Sequence, residues 1–363
     1  MTRLRTRRSA GLLAAVAALL VALALGVAAC GGGGSGGAAT PADTITGAGA
    51  SFPYPLYSKW AQEYNKIKGV KLNYQSIGSG AGIEAIKAKT VDFGASDVPL
   101  SAAELDQAGL LQFPMTMGGV VPVVNLDGIA DAQLKLDGIT LAKVFLGDIT
   151  TWDDPAIKAL NRGLTLPSTS ISVVHRSDSS GTTWIFTNYL SAASPEWKSK
   201  LGIGKDVAWP VGVGGKGNDG VAQSVKQVTG AIGYVEYAYA KQSGMTTTQL
   251  KNKTGAFVAA SLDAFTAAAA SADWNAPGFA VVLVDEPGKA AWPITGASFI
   301  LIYKEQEDAD RARMMLEFFD WNYKNGQQIA QQLDYVPIPD TAVKLVEDTW
   351  AKDVSISGTP IWP

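Results

Sequence analysis

Three times along this chain, a short β-forming run ends in small residues and a serine stands at the entrance to a segment with helical periodicity. That alternation of strand and helix periods predicts a layered α/β fold, and a length of 363 residues predicts two lobes instead of one core. The junctions carry chemistry as well as topology. A helix start leaves backbone N–H groups unpaired at the positive end of the macrodipole, so a serine or threonine there can help to hold an oxyanion.

The first junction runs from residues 44–46 through Gly47-Ala48-Gly49-Ala50-Ser51-Phe52-Pro53, after which Leu56, Trp60, Tyr64 and Ile67 fall on one helical face. Taken alone, Ser51 also reads as a plain N-cap. The second follows a strand over residues 70–74 and consists of Ile77-Gly78-Ser79-Gly80-Ala81-Gly82, whose glycines let backbone approach a ligand closely before a helix over 83–88. The third, Arg176-Ser177-Asp178-Ser179-Ser180-Gly181-Thr182, opens a helix over 183–190. The Arg176 guanidinium fork matches two oxygens of a tetrahedral anion, although its ordinary reading is a surface residue paired with Asp178. His175, adjacent on a strand, points to the opposite face and reads as structural. Asp97 lies between an apolar run and Ser101-Ala102-Ala103-Glu104, which has the form of a capping box; composition alone makes it an exposed loop aspartate.

Residues 1–8 hold four arginines, and residues 12–29 are almost entirely Ala, Leu and Val. This is the pattern of an export signal, and Val27-Ala28-Ala29-Cys30 resembles a bacterial lipobox, which implies a signal peptide over 1–29 and lipidation of Cys30. The Gly/Ser/Ala-rich stretch over 30–43 has no apolar face and reads as a tether, reaching roughly 20 Å as a flexible coil. Arg7-Arg8 leaves open which export route is used.

With one cysteine and one histidine, the chain can form neither an internal disulfide nor a Cys/His zinc cluster. The net charge is −3 with the leader's Arg3, Arg5, Arg7 and Arg8 included, so the mature part is more acidic still and a poor partner for nucleic acid. Gly212-Val213-Gly214-Gly215-Lys216-Gly217 fits G-x-G-x-x-G with Glu236 about 20 residues on, but no strong strand precedes it. It reads as a loop before a helix over 221–228, and residues 304–323 read as a long charged helix with a solvated face.

The junctions around Ser51, Ser79, Asp97 and Arg176, in this order, resemble the phosphate-binding proteins of bacterial ABC phosphate importers (Pst type). The likeness extends through residues 46–53, 74–78, 90–97, 147–156 with Trp152-Asp153-Asp154, 214–220, 231–242 and 318–323. It implies the type II periplasmic-binding-protein fold, with 44–122 and 294–363 forming one lobe, 123–293 the other, and crossovers near 121–125 and 292–302. Carried over by position, it implies phosphate contacts from Ser51, Phe52, Ser79, Asp97, Arg176, Ser180, Gly181 and Thr182, with Phe52 and Gly181 acting through backbone N–H. Ser51 stands where some relatives have Thr, and Ser179 where Gly is often found. The implied protein is a monomeric, membrane-anchored lipoprotein outside the cytoplasm that passes inorganic phosphate to ABC permease subunits, needs no cofactor and is no enzyme. A phosphatase-like enzyme built on the same cradle, or a phosphate-sensing lipoprotein, is the alternative.

Overall fold

The computed structural model describes residues 43–363; the leader, Cys30 and the tether lie outside the described residues. Among the described residues the main sheet has nine strands: β1 (Thr44–Gly49), β2 (Lys71–Ser76), β3 (Phe93–Ser96), β4 (Leu110–Val124), β5 (Ser172–Arg176), β6 (Val213–Gly215), β7 (Ala231–Glu236), β8 (Thr246–Thr247) and β9 (Thr295–Tyr303). Their order is β2-β1-β3-β9-β4-β7-β5-β6, with β8 on the β4 edge. β1 is parallel to β2 and β3, and β5 is parallel to β6 and β7, whereas β4 and β9 run antiparallel to their neighbours.

β4 binds these two parallel groups into one sheet. Residues 110–119 pair with β9, and residues 120–124 pair with β7. Every residue of β4 is buried, which is why this stretch is a nearly unbroken apolar run without the alternation of a half-exposed strand. Its register against β9 slips between Ser298 and Phe299, opposite Pro114, where proline has no N–H to give the ladder. At the crossing, Trp292 Nε1 donates to Val120 O at 2.9 Å and Val120 N to Ile294 O at 2.8 Å.

Five helices position the turns: α1 (Tyr54–Lys68), α2 (Ser79–Lys87), α3 (Gly181–Ala193), α4 (Gly217–Gln227) and α5 (Ala309–Asn325). Three sequence expectations need correction. Ile67 is 61% exposed, because the buried face of α1 runs through Leu56, Tyr57, Trp60 and Tyr64 and the helix ends one residue after Ile67. The charged stretch after β9 is not helical from residue 304; Asp308 caps α5, which buries Met315, Leu316, Phe318 and Phe319 against the sheet. The helix after the glycine-rich 212–217 segment begins at Gly217, four residues before the position expected, and Val213–Gly215 is a strand within that segment. The capping box at Ser101 and Glu104 is present.

α2 rests directly on backbone. A Cβ on Gly82 would lie 2.7 Å from Ala48 O and 2.8 Å from Ala95 O, and against the Gly49 Cα. This contact brings the first turn of α2, with Ser79, onto the ends of β1 and β3. Gly82→Ala should lower stability in urea unfolding by on the order of 1–3 kcal/mol through overpacking, even though alanine favours an isolated helix by about 1 kcal/mol; unchanged or higher stability would contradict this packing.

Candidate functional site

Every parallel strand of the sheet delivers a buried polar residue at or just beyond its C-terminal end. β1 leads to Ser51, β2 to Ser79, β3 to Asp97, β5 ends at Arg176, β6 leads to Asn218 and β7 ends at Glu236. Open α/β sheets place ligands at this edge, where helix N-termini and turn N–H groups converge. All eight residues assigned by resemblance are buried: Ser51, Phe52, Ser79, Asp97, Arg176, Ser180, Gly181 and Thr182.

Hydrogen bonds tie these residues into one cluster. Ser79 Oγ accepts from Asp97 N at 3.2 Å and from Gly181 N at 3.1 Å, joining the second and third junctions. Gly80 N donates to Ser179 O at 3.0 Å alongside. A Cβ on Gly181 would stand 2.6 Å from Asp97 Oδ2, so only glycine lets the start of α3 approach that carboxylate so closely. Ser179 is accommodated because the residue facing it is Gly80, and its φ is not positive, so serine in place of glycine strains nothing.

The three serines do not share one capping role. Ser180 is a true N-cap, its Oγ accepting from Thr183 N at 3.1 Å. Ser79 is the first residue of α2, behind Gly78. Ser51 caps nothing, since the N-cap of α1 is Pro53; its Oγ accepts from Asn218 instead. Asp97 is 2% exposed, contrary to its composition-based reading as a loop aspartate. Arg176 does pair with Asp178, but at 4% exposure it is no surface residue.

Two charged side chains in the cluster are incompletely satisfied. Arg176 Nε and Nη2 donate to Asp178 at 2.8 and 2.5 Å, while Nη1 is buried without a hydrogen-bond partner in the chain. Asp97 Oδ1 is in the same condition. Burial raises the Asp97 carboxyl to about 7, against the opposing effects of the Ser298 hydroxyl, the Arg176 charge and Ser79. Burial acts on Asp178 in the same direction, but the Arg176 guanidinium and the Gly217 N–H outweigh it and hold that carboxylate below its usual range. A cluster offering hydroxyls, turn N–H groups, one unspent guanidinium nitrogen and one unspent carboxylate oxygen suits a small oxyanion that carries a hydrogen. Among the described residues no His/Cys/Asp/Glu group is arranged to hold a metal ion. His175 stacks on Trp209 at 4.9 Å between ring centroids, in keeping with a structural role.

Asn218, Glu236 and Tyr335 also belong to this region, and sequence reasoning gave none of them a role. The first two lie in stretches 214–220 and 231–242 that carried the family likeness, on the same strand-then-turn pattern as the other junctions. Glu236 is fully buried and pushed well above the usual carboxylate range by desolvation, against the pull of Ala238 N–H and the Tyr335 hydroxyl. Tyr335 Oη lies 2.7 Å from Phe52 O and 2.8 Å from Glu236 Oε2.

The raised Asp97 carboxyl has a consequence for stability. A folded-state value of about 7, above the ordinary aspartate value, means that the folded chain holds this proton more tightly, so its contribution is greatest at acid pH and drains away as pH rises towards 7. Asp97→Asn should therefore raise the melting temperature of the ligand-free protein at pH 8, by a gain on the order of 4 kcal/mol at most, and change it little near pH 4. Equal melting shifts at both pH values would show that Asp97 is not desolvated.

The chain matches the PBP superfamily domain over residues 34–325. It is 54% identical over 325 residues to the phosphate-binding protein PstS of Pasteurella multocida (strain Pm70), covering 89% of this chain and 94% of that protein. It is 56% identical over 310 residues to the phosphate-binding protein PstS of Xylella fastidiosa (strain 9a5c), covering 85% of each. Among solved structures, it is similar to a DING protein with a TM-score of 0.70 at 21% identity, covering 86% of this chain and 96% of that one. A high-affinity periplasmic phosphate-binding protein solved with phosphate is similar with a TM-score of 0.68 at 23% identity, covering 88% and 97%. The α/β periplasmic-binding-protein fold implied by the junctions is the fold of this chain. On the extent and identity of these matches, the chain belongs to the PstS family of phosphate-binding proteins.

Proposed function

We propose that this protein captures inorganic phosphate at the C-terminal strand ends and delivers it, outside the cytoplasm, to the permease subunits of an ABC importer. The observation that carries the reading is the pairing of a buried, unpartnered Asp97 Oδ1 with a buried, unpartnered Arg176 Nη1 inside one cluster of hydroxyl and N–H donors. A carboxylate aimed at an oxyanion repels it unless a proton lies between them. Phosphate near neutral pH still carries one, its second dissociation lying at about 6 to 7 as in phosphate esters, and can donate P–OH to Asp97. Sulfate carries none and would face Asp97 lone pair to lone pair.

In this reading Ser51, Ser79, Ser180 and Thr182 donate through hydroxyls, Phe52 through backbone N–H, and Arg176 through Nη1, while Gly181, whose N–H is held by Ser79 Oγ, contributes the close approach that a Cβ would block. Attraction comes from these local groups and not from the net charge, which is negative. Residues 44–122 with 294–363 form one lobe and 123–293 the other, and the lobes close on the anion as a monomer. Lipid on Cys30, after removal of residues 1–29, holds the protein at the membrane surface; no helix among the described residues is long and apolar enough to cross a membrane. No observation favours the enzyme alternative: the relatives are named as binding proteins, and the histidine is engaged with Trp209.

Titration calorimetry tests the site. Arg176→Ala should weaken phosphate binding at least 100-fold, because a charge-assisted bond is lost and Asp178 loses its partner. Sulfate should bind detectably only as pH falls below about 7, where Asp97 is neutral and can donate, and Asp97→Asn should bind sulfate without that pH dependence. Parent-like phosphate and sulfate titrations in both variants would remove Asp97 and Arg176 from the site. For the anchor, Cys30→Ser should move the protein from the membrane fraction to the soluble fraction, and retention in the membrane would exclude lipidation there.

A further inference from the structure

We propose that Asn218 is a positioning residue that sets which way the phosphate-contacting hydroxyls point, filling both acceptor sites of Ser51 so that it must donate and taking one of the two on Thr182. The inference rests on the phosphate-site reading and goes beyond it, since the family likeness gives Asn218 no role.

A hydroxyl is ambivalent: it can donate its hydrogen or offer a lone pair, and an oxyanion tolerates only the first. Asn218 removes the choice at Ser51 and narrows it at Thr182. It is fully buried at the start of α4. Its Nδ2 donates to Ser51 Oγ at 2.9 Å and to Thr182 Oγ1 at 3.2 Å, and its backbone N donates to Ser51 Oγ at 3.3 Å. With two N–H groups on the Ser51 oxygen, that oxygen's acceptor capacity is filled and its hydrogen must point elsewhere. The amide cannot be the other way round, because Oδ1 accepts from Glu236 N at 2.9 Å and Nδ2 in that position would set hydrogen against hydrogen. One side chain thus spends both its hydrogens on hydroxyls from opposite groups of strands, Ser51 after β1 and Thr182 in α3 after β5.

Ser79 follows the same rule with backbone in place of Asn218, and Ser180 has one of its two acceptor sites taken. Ser79 Oγ is filled by Asp97 N and Gly181 N, and Ser180 Oγ accepts from Thr183 N. The site therefore contains hydroxyls already turned outward as donors, with Asp97 as the group left to accept.

The test uses the full chain and inorganic phosphate, titrated calorimetrically across pH 5 to 8.5 with the parent, Asn218→Ala, Asn218→Asp and Arg176→Ala side by side. Asn218→Asp keeps the shape but replaces two N–H donors by lone pairs, so the Ser51 and Thr182 hydrogens turn inward and present oxygen to the anion. Phosphate affinity at pH 8 should fall roughly 100-fold for Asn218→Asp and roughly 10-fold for Asn218→Ala. The loss in Asn218→Asp, taken as a ratio to the parent, should shrink as pH falls and the new carboxyl regains a hydrogen, whereas the Asn218→Ala ratio should stay flat. Asp219 beside it on α4, and Glu236, Asp97 and the Arg176–Asp178 pair on neighbouring elements, are present in parent and variant alike, which is why the comparison is made as a ratio to the parent. Affinities within twofold of the parent in both Asn218 variants, or a pH-independent ratio in Asn218→Asp, overturn the proposal. If Asn218→Asp does not melt cooperatively, Asn218→Ala decides on affinity alone. Parent-like binding by Arg176→Ala would instead show that the phosphate site itself is misplaced.

Discussion

The buried Arg176–Asp178 pair is the constraint on which the cluster is built. Burying a guanidinium is costly, and a paired carboxylate returns that cost only when geometry and further hydrogen bonds are good. Here both terms are met: two bonds from the fork, and a third to Asp178 Oδ1 from Gly217 N at 3.0 Å. The pair fixes the plane of the fork, leaves Nη1 alone unspent, and fastens the end of β5 to the start of α4. Arg176 and Asn218 are in this way oriented by one ion pair and its immediate bonds. Such a pair contributes orientation more than stability.

The pattern of the sequence carried the layered fold and three of the turns, because strand period, glycine and hydroxyl residues are local signals. Burial was the part it did not carry. Asp97 and Arg176 were ordinary surface residues by composition, and only strands separated by long stretches of chain enclose them. The same limit explains Ile67, which continues a helical stripe past its last buried residue, Tyr64, and Ser51, whose hydroxyl is taken by a residue 167 positions away and not by its own helix. Asn218 and Glu236 followed the same strand-then-turn rule as the recognised junctions. The three-residue strand β6 is too short to register as a period, so no local signal marks the turn that carries Asn218.

Glu236 and Tyr335 tie a buried acid to the first junction through one shared hydroxyl. The tyrosine has one hydrogen and two oxygen neighbours, and Phe52 O can only accept. The hydroxyl hydrogen is shared between Phe52 O and Glu236 Oε2, which also accepts from Ala238 N at 2.9 Å, and desolvation pushes the carboxyl up against both of these donors. The backbone of Phe52, a contact assigned to the anion, is thereby held by a side chain that also grips the end of β7.

The continuity of β4 has a geometric corollary. Its two stretches are laddered to different partners, and the changeover falls at Gly118-Gly119, where a Cβ on Gly119 would strike the Phe265 ring. The two flanks are thus joined by one unbroken ribbon, and both ladders continue through it without a gap. The seam makes the two groups of strand tips neighbours in one sheet, so the spacing between the residues they carry is set by the ladder and not by loops.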